Sequence, residues 1–467
     1  MSSPVEQKEI KKMITVICKF LQTSKLDIGA LSVNYSVAIW QALRIVISTA
    51  MLFLVPAFTT KATQGQWYLF VSIGALSAIA EMGISSLFVV FAAHERGNHT
   101  AKKNSIDKSN LSPPFSGFVL TWSCGIGALF FFILSFVGLL ILSYRAGSQL
   151  WQLQWVIYSC GIVLTLIANL FLAWFEGIGY VLASYKMRAM VTMISTFVAA
   201  IMLWNHCGIW ALSLSQVLGP IAALIVILPL ILHSVRAYDF RMSDTLQFWL
   251  PQVLPLLKNN IFSVVGGYIV FQAATIMAYI YKGIENAGEI GFTTNVWMGG
   301  FSIFYAFLAS SMASTGTMLA QGNVKEAVKK SLMAFKQSAI IFLLIGICAI
   351  SMVKIFPEFS LFQRMTSTGH MWVLFVGLIL HLGVVAIAVF FRSAKKEPFA
   401  KISIITAFIC IIVVLFSNQF HYSPFYGFLV ANLLALIYCT SYLNFNTVDF
   451  GIYKSKSHQI DQVESRI

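Results

Sequence analysis

The sequence predicts an all-α integral membrane protein of about twelve transmembrane helices in two six-helix lobes, and three observations carry that prediction. Hydrophobic residues fill 58% of the 467 positions and charged residues only 10%, far from the balance of a soluble domain. The apolar residues gather into runs of roughly twenty or more, the length a helix needs to cross a bilayer. Basic residues fall between those runs in alternation, dense after one run and sparse after the next. A mean hydropathy of +0.81 describes a chain whose outer face is met by lipid rather than water.

The elements follow in order. Residues 1–27 are polar and basic with no apolar core, so no cleavable signal is expected and the first span serves as the membrane address. Apolar runs lie near 28–57, 66–92, 116–143, 152–175, 179–203 and 208–234. A polar stretch at 235–257, with Pro251 and Pro255, reads as a cytoplasmic linker. Six further runs lie near 258–281, 286–314, 331–355, 368–391, 400–418 and 422–445, before a polar tail at 446–467. The lobes are therefore expected at 28–234 and 258–445.

Charge placement fixes the expected orientation. Excess Lys and Arg mark cytoplasmic segments. Lys8, Lys11, Lys12, Lys19 and Lys25 precede the first span; Arg96, Lys102, Lys103 and Lys108 follow the second. Lys325, Lys329, Lys330 and Lys336 then follow the eighth, and Arg392, Lys395, Lys396 and Lys401 follow the tenth. Twelve spans with both termini in the cytoplasm satisfy every cluster. The net charge of +14 is thus an orientation signal in short loops, not a nucleic-acid footprint.

Other chemistries find no support. No outer loop is long enough for the extracytoplasmic domain of a membrane glycan enzyme, and no Gly-rich phosphate loop ends in Lys-Ser or Lys-Thr. The seven cysteines are scattered singly and the eight histidines lack metal-site spacing, so neither a metal nor another cofactor is expected. The reading is a transporter, not an enzyme, driven by an ion or substrate gradient.

Weak internal similarity accompanies the two sets of six. The segment from Gly65 to Asn98 begins GQWYLF and ends ERGN; that from Gly288 to Asn323 begins GEIGFT and ends AQGN. Each is the second span of its half, and an even number of spans per half gives both the same orientation.

Polar residues inside the runs are the candidate site, because a charge at the bilayer centre costs at least about 2.5–3.5 kcal/mol. Asn34, Gln41, Arg44 and Ser48 share one face of the first span. They read either as a polar stripe gripping an anion or as part of a buried ion pair. Glu81 of the second span shares a face with Gly74, Ser77 and Ser85. It fits two roles, an ion-coupling carboxylate or a structural partner of Arg44. The seventh span presents Tyr268, Gln272, Thr275 and Tyr279, with Lys258, Asn259, Asn260, Ser263, Gly266 and Gly267 near its start. Lys258 either joins that face or extends to the interface. Glu176, Lys186 and Arg188 flank a short turn and read either as interfacial residues or as cavity-mouth residues that recruit an anionic head group.

Four stretches carry a family resemblance: WYLFVSIGALSAIAEMGISSL (67–87), GIWALSLSQVLG (208–219), AGEIGFTTNVW (287–297) and LAQGNVKEAVKK (319–330). With the two six-span halves and cationic inner side, they resemble the multidrug/oligosaccharidyl-lipid/polysaccharide exporter superfamily, and within it the bacterial polysaccharide flippases of the O-antigen (Wzx) type. The chain departs from that pattern at Glu81, where Asp is more usual, and at Ile290, where Tyr is expected. The resemblance implies two lobes around a central cavity and alternating access. It implies that an undecaprenyl-diphosphate-linked oligosaccharide crosses the cytoplasmic (inner) membrane for surface polysaccharide, such as lipopolysaccharide O-antigen. Arg44 and Lys258 would then meet the diphosphate or an acidic sugar, and Trp40, Tyr268 and Tyr279 would stack on sugar rings. The partners implied are the lipid-linked oligosaccharide, the lipid bilayer, a polysaccharide polymerase and a chain-length regulator. A multidrug or metabolite exporter of the same fold is the alternative, and a polysaccharide polymerase a further one.

Overall fold

The computed structural model describes residues 30–102, 115–144, 151–236, 242–321, 323–393, 398–420 and 422–443. All regular structure among them is helical, as the apolar runs require: a bilayer leaves backbone groups no partner outside the segment itself. Eleven of the described helical segments, one of them the interrupted stretch Lys61–Arg96, are long and apolar enough to cross a membrane. The remaining predicted span, 286–314, is formed by a helix over Ile284–Ser310 of 27 residues. It is less apolar because Thr293, Thr294, Asn295, Gly299 and Gly300 interrupt its hydrophobic residues. The protein is a multi-pass, all-α membrane protein.

In chain order the helices are α1 (Ala30–Phe58), α2 (Lys61–Gly74), α3 (Ser77–Glu81), α4 (Ile84–Lys102), α5 (Phe115–Ser143), α6 (Gln152–Gly177), α7 (Val181–Trp204) and α8 (Trp210–Arg236). They continue as α9 (Met242–Lys282), α10 (Ile284–Ser310), α11 (Met312–Ala320), α12 (Val324–Ile355), α13 (Thr368–Ser393), α14 (Ala400–Gln419) and α15 (Tyr426–Leu443). Two compact units result, one of Met1–Thr63 with Ile73–Lys258, the other of Gln64–Ser72 with Asn259–Ile467. The first turns of the second span thus belong with the second unit, a placement that consecutive reading of the chain does not give.

Two expectations from the sequence need correction. The second span is not one helix. It breaks after Gly74 and again at Met82–Gly83, where φ is 45° and 75°. A left-handed Met costs about 1–2 kcal/mol, so packing holds it there. Gly74, Ser77, Glu81 and Ser85 therefore do not form a continuous helical stripe, although Ser85 still donates to Glu81 over 2.7 Å. The stretch expected as a linker, 235–257, also has regular structure. From Met242 it is helical and continuous with the seventh span, through both Pro251 and Pro255. Trp249, Val253 and Leu257, four residues apart, are buried on one side. Trp249 packs edge-on to Phe91 and Phe115, with ring centroids 5.8 and 4.9 Å away. That apolar stripe outweighs the proline signal.

In the first unit α6 is the most enclosed of the spans; it packs against α4, α5 and α8, while α7 packs against α1 and α8. Glu95 at the end of α4 accepts the Phe115 backbone N–H over 2.8 Å, satisfying one of the free amides that begin α5 and placing a carboxylate at its positive end. Trp155 is fully buried on α6 and donates from Nε1 to the Ser135 carbonyl at 3.3 Å. A Cβ on Gly138 would collide with that indole. Gly138→Val is therefore expected to destabilise the purified protein by about 1–3 kcal/mol through overpacking, read as a lowered midpoint of thermal unfolding in detergent. An unchanged midpoint would show that Trp155 moves aside freely.

The second unit is built around aromatic side chains. Trp297, Phe301 and Phe304 of α10, Phe342 of α12 and Phe375 of α13 form one buried cluster, with ring centroids 5.1 Å apart for Phe304 and Phe342 and 5.3 Å for Trp297 and Phe375. Aromatic pairs at such spacings add about 0.5–1.5 kcal/mol each beyond area burial. Within the same unit the starts of α2 and α10 meet backbone to backbone. A Cβ on Gly288 would lie 2.7 Å from the Gly65 Cα, and one on Gly65 would strike the Ile284 carbonyl. One turn further, a Cβ on Gly291 would lie 2.6 Å from the Tyr68 Cβ. Gly65 and Gly288 open the two segments of the weak internal repeat, so those segments touch at matching residues.

Candidate functional site in the first unit

The sequence flags Arg44 first, and its surroundings decide what it can do. Arg44 is half-buried on α1, the helix that packs along α7. Its electrostatic neighbours, Arg188 and Tyr185, are on α7. Arg188 in turn pairs with Glu176 at the end of α6, Nη1 to Oε2 at 2.8 Å, with side chains 16% and 17% exposed. The Arg188 guanidinium also lies 5.3 Å from the centre of the Tyr185 ring, a cation–π contact. The carboxylate of Glu176 is thus engaged by Arg188. Among the described residues Arg44 itself makes no hydrogen bond or ion pair.

This replaces the pair that the sequence left open. No ion pair joins Arg44 to Glu81 among the described residues; Glu81 ends α3 at the break in the second span and accepts the Ser85 hydroxyl. Glu176 and Arg188, which flank the turn, are bonded to each other, with Arg188 acting on Arg44. The hairpin of α6 and α7 brings them together: Gly179, at φ 101°, makes the turn, and Arg96 donates from Nη1 to the Ile178 carbonyl over 2.7 Å, closing it. A Cβ at Gly179 would collide with that guanidinium. Two glycines flanked by an acid and a base were the available signal for the bridge.

The other flagged residues are distributed along two helices. Gln41, one turn before Arg44, is half-buried with its Oε1 enclosed and without a hydrogen-bond partner. Ser48 is exposed and donates to the Ile45 carbonyl of its own helix at 2.9 Å, so its hydroxyl is already engaged. Trp40 is half-buried, and Asn34 lies on the same helix with its side chain outside the described residues. On α9, Lys258 is exposed, and Tyr268 and Gln272 are half-buried. Thr275 and Tyr279 are buried, at 1% and 5% exposure. Tyr279 therefore has no free ring face for a sugar, a correction to the expected stacking role, because packing against α9's neighbours covers it. The side chains of Asn259 and Asn260 lie outside the described residues. Among the described residues no group of three His, Cys, Asp or Glu side chains is arranged to hold a metal ion.

Chemically, the first unit holds a surplus positive charge and an unsatisfied amide oxygen inside an apolar helix set. A cation so placed is stabilised by an anion with several acceptor oxygens, and Arg binds phosphate oxygens through directed, charge-assisted hydrogen bonds.

No family model matches the chain, and no curated protein sequence matches it. Solved structures do share its fold. An inward-facing multidrug resistance MATE family transporter of the MOP superfamily superposes with a TM-score of 0.56 at 13% identity, covering 86% of this chain and 98% of that one. The outward-facing conformation of a MATE family transporter gives 0.58 at 13% identity, with 90% and 96% covered. The lipid II flippase MurJ, in an inward closed conformation, gives 0.63 at 13% identity, with 89% and 88% covered. At that identity the likeness is one of fold.

Proposed function

We propose that the chain is a flippase that carries a lipid-linked oligosaccharide, joined to its lipid through a diphosphate, across the cytoplasmic membrane by alternating access of two lobes. The observation that carries this reading is Arg44, which has no acid of its own and sits beside an Arg188 that has one. Arg44 lies fourteen residues from the start of α1 at Ala30, near the middle of the first span, and Arg188 seven residues inside α7. At 1.5 Å per residue these are about 21 Å and about 11 Å from helix ends that we read as cytoplasmic from the charge pattern. A diphosphate carried into the membrane would need a counter-charge at such depths. Its sugars would otherwise strand hydroxyls in hydrocarbon.

Gln41 is read as a contact to the same head group. Lys258, Tyr268 and Gln272 are read as further substrate contacts elsewhere on the path. Glu81, at an interrupted span, is read as the ion-coupling carboxylate of the first unit, since interrupted helices and intramembrane acids are where transported ions are met. Likeness of fold to a lipid II flippase supports a lipid-linked cargo, and likeness to multidrug transporters supports the exporter alternative. The sign of the site favours the first, because a cationic drug would need surplus acid.

The test is genetic. Deletion is expected to remove surface polysaccharide and trap complete single repeats on the cytoplasmic leaflet. Arg44→Ala, at normal membrane levels, is expected not to restore export. Single repeats reaching the surface unpolymerised would favour the polymerase reading, and unaltered glycan would favour drug or metabolite export.

A further inference from the structure

The second unit has a site of its own. A cavity of about 260 Å³ runs within it, lined by residues of α9, α10, α13, α14 and α15, among them Ser263, Tyr305, His381, Arg392, Thr406 and Asn432. His381 is in the middle of α13, and Arg392 is three turns on, about 16 Å along the helix. The volume is enough for several waters.

The state of His381 follows from its partner. Asn432 donates from Nδ2 to the Phe428 carbonyl over 2.8 Å, which turns its Oδ1 toward the imidazole. His381 Nδ1 lies 2.8 Å from that Oδ1. An amide oxygen only accepts, so Nδ1 must carry the proton and Nε2 is left with a lone pair. Among the described residues Nε2 has no hydrogen-bond partner. Phe271, Phe301 and Phe428 surround the ring, with centroids 5.0, 5.3 and 6.2 Å away. These faces and edges hold the imidazole in place and offer a protonated ring cation–π contacts.

Among the described residues the charged and titratable groups around it are few. From α10 the cavity receives Tyr305; from α9, α14 and α15 it receives only apolar, hydroxyl and amide side chains. His370 and Arg392 share α13, eleven residues to either side. The buried residues of α12, which also packs on α13, are uncharged, and α11 has no titratable side chain. Cys410 and Cys439 sit in separate buried clusters. Among the described residues no carboxylate lines the cavity, so these residues offer a metal cation no anionic ligand. A proton needs only the lone pair.

We propose that His381 Nε2 is a proton-binding site that couples transport to a proton gradient, with the cavity between His381 and Arg392 as its water-filled access. The step is protonation of a neutral imidazole to imidazolium and its reversal, with Nδ1–H held by Asn432 throughout. This rests on the transport reading above, and the tests separate the two.

In the first test, full-length protein in proteoliposomes is given a fluorescent polyprenyl-diphosphate disaccharide. A gradient of about one pH unit is expected to enrich the probe about tenfold on one leaflet for each coupled proton. His381→Gln is expected to keep flipping the probe to an even distribution while losing the enrichment. In the second, full-length protein with ¹⁵N-labelled histidine is held in lipid nanodiscs. His381, identified by the signal that changes in His381→Gln or Asn432→Leu, is expected to show protonated Nδ1 and bare Nε2 when neutral, and to become imidazolium on acidification. No flipping of the probe would overturn the flippase reading and leave the nanodisc spectra to judge His381. Flipping without gradient response, or a response kept in His381→Gln but lost in Glu81→Gln, would overturn the proton site. So would an Nε2–H tautomer, or a ring that never titrates.

Discussion

Glu176→Gln is expected to cost about 3–5 kcal/mol of stability, the range for removing one partner of a buried pair. The bridge is short, at 2.8 Å, and only 16% and 17% of its two side chains is exposed. Its loss leaves the Arg188 charge unpaired next to Arg44, so like-charge repulsion adds to the lost hydrogen bond. The double variant Glu176→Leu with Arg188→Leu separates stability from function. Replacing both charges by apolar groups of similar size is often neutral, so thermal unfolding of the double variant should lie close to the parent. On the proposed flippase function export should still fall, because Arg44 would face the diphosphate alone. A double variant as unstable as Glu176→Gln would mean that the bridge specifies the helix hairpin itself. A double variant with full export would remove Arg188 from the site.

Gly65→Val is the second large effect expected. The new side chain would meet the Ile284 carbonyl, a backbone atom that cannot swing aside, and Gly288→Val would meet Gly65 in the same way. Overpacking against side chains costs about 1–3 kcal/mol and occasionally more; against backbone the upper end is expected for either variant. Gly300→Val is the matched control, since nothing lies within 4 Å of where its Cβ would be. Thermal unfolding and protease resistance in detergent should single out Gly65 and Gly288. Equal behaviour of all three would show that α2 and α10 do not cross so closely.

The spans were legible because lipid demands long apolar runs and the chain supplies them one after another. Legibility ended where local pattern met a longer-range partner. Pro251 and Pro255 read as a linker, yet burial of Trp249, Val253 and Leu257 keeps α9 helical through both. Met82 gave no sign of its left-handed backbone, and Gly83 beside it was the only hint of a break. Arg44 was recognisable as a charge in the wrong solvent. Its neighbour was not, because helical spacing says which residues share a face and nothing about which helix lies opposite. Glu81 was the obvious acid by proximity in sequence, whereas α7 supplied Arg188 from far along the chain. His381 drew no attention for the same reason: a lone histidine in an apolar run becomes a site only when Asn432 fixes its tautomer.

The contact of Gly65 with Gly288 also has a consequence for biosynthesis. The two glycines are separated by about 220 residues, and at about 5–20 residues per second a ribosome takes roughly 10–45 s to go from one to the other. Through that interval the first turns of the second span, with Gln64 and Gln66, have been made while their packing surface has not. Gln64, which in the finished protein donates to the Arg364 carbonyl at 3.3 Å, must wait longer still. Nascent chains halted before α10 should therefore leave residues 64–72 open to thiol labelling at engineered cysteines, and chains halted after it should protect them.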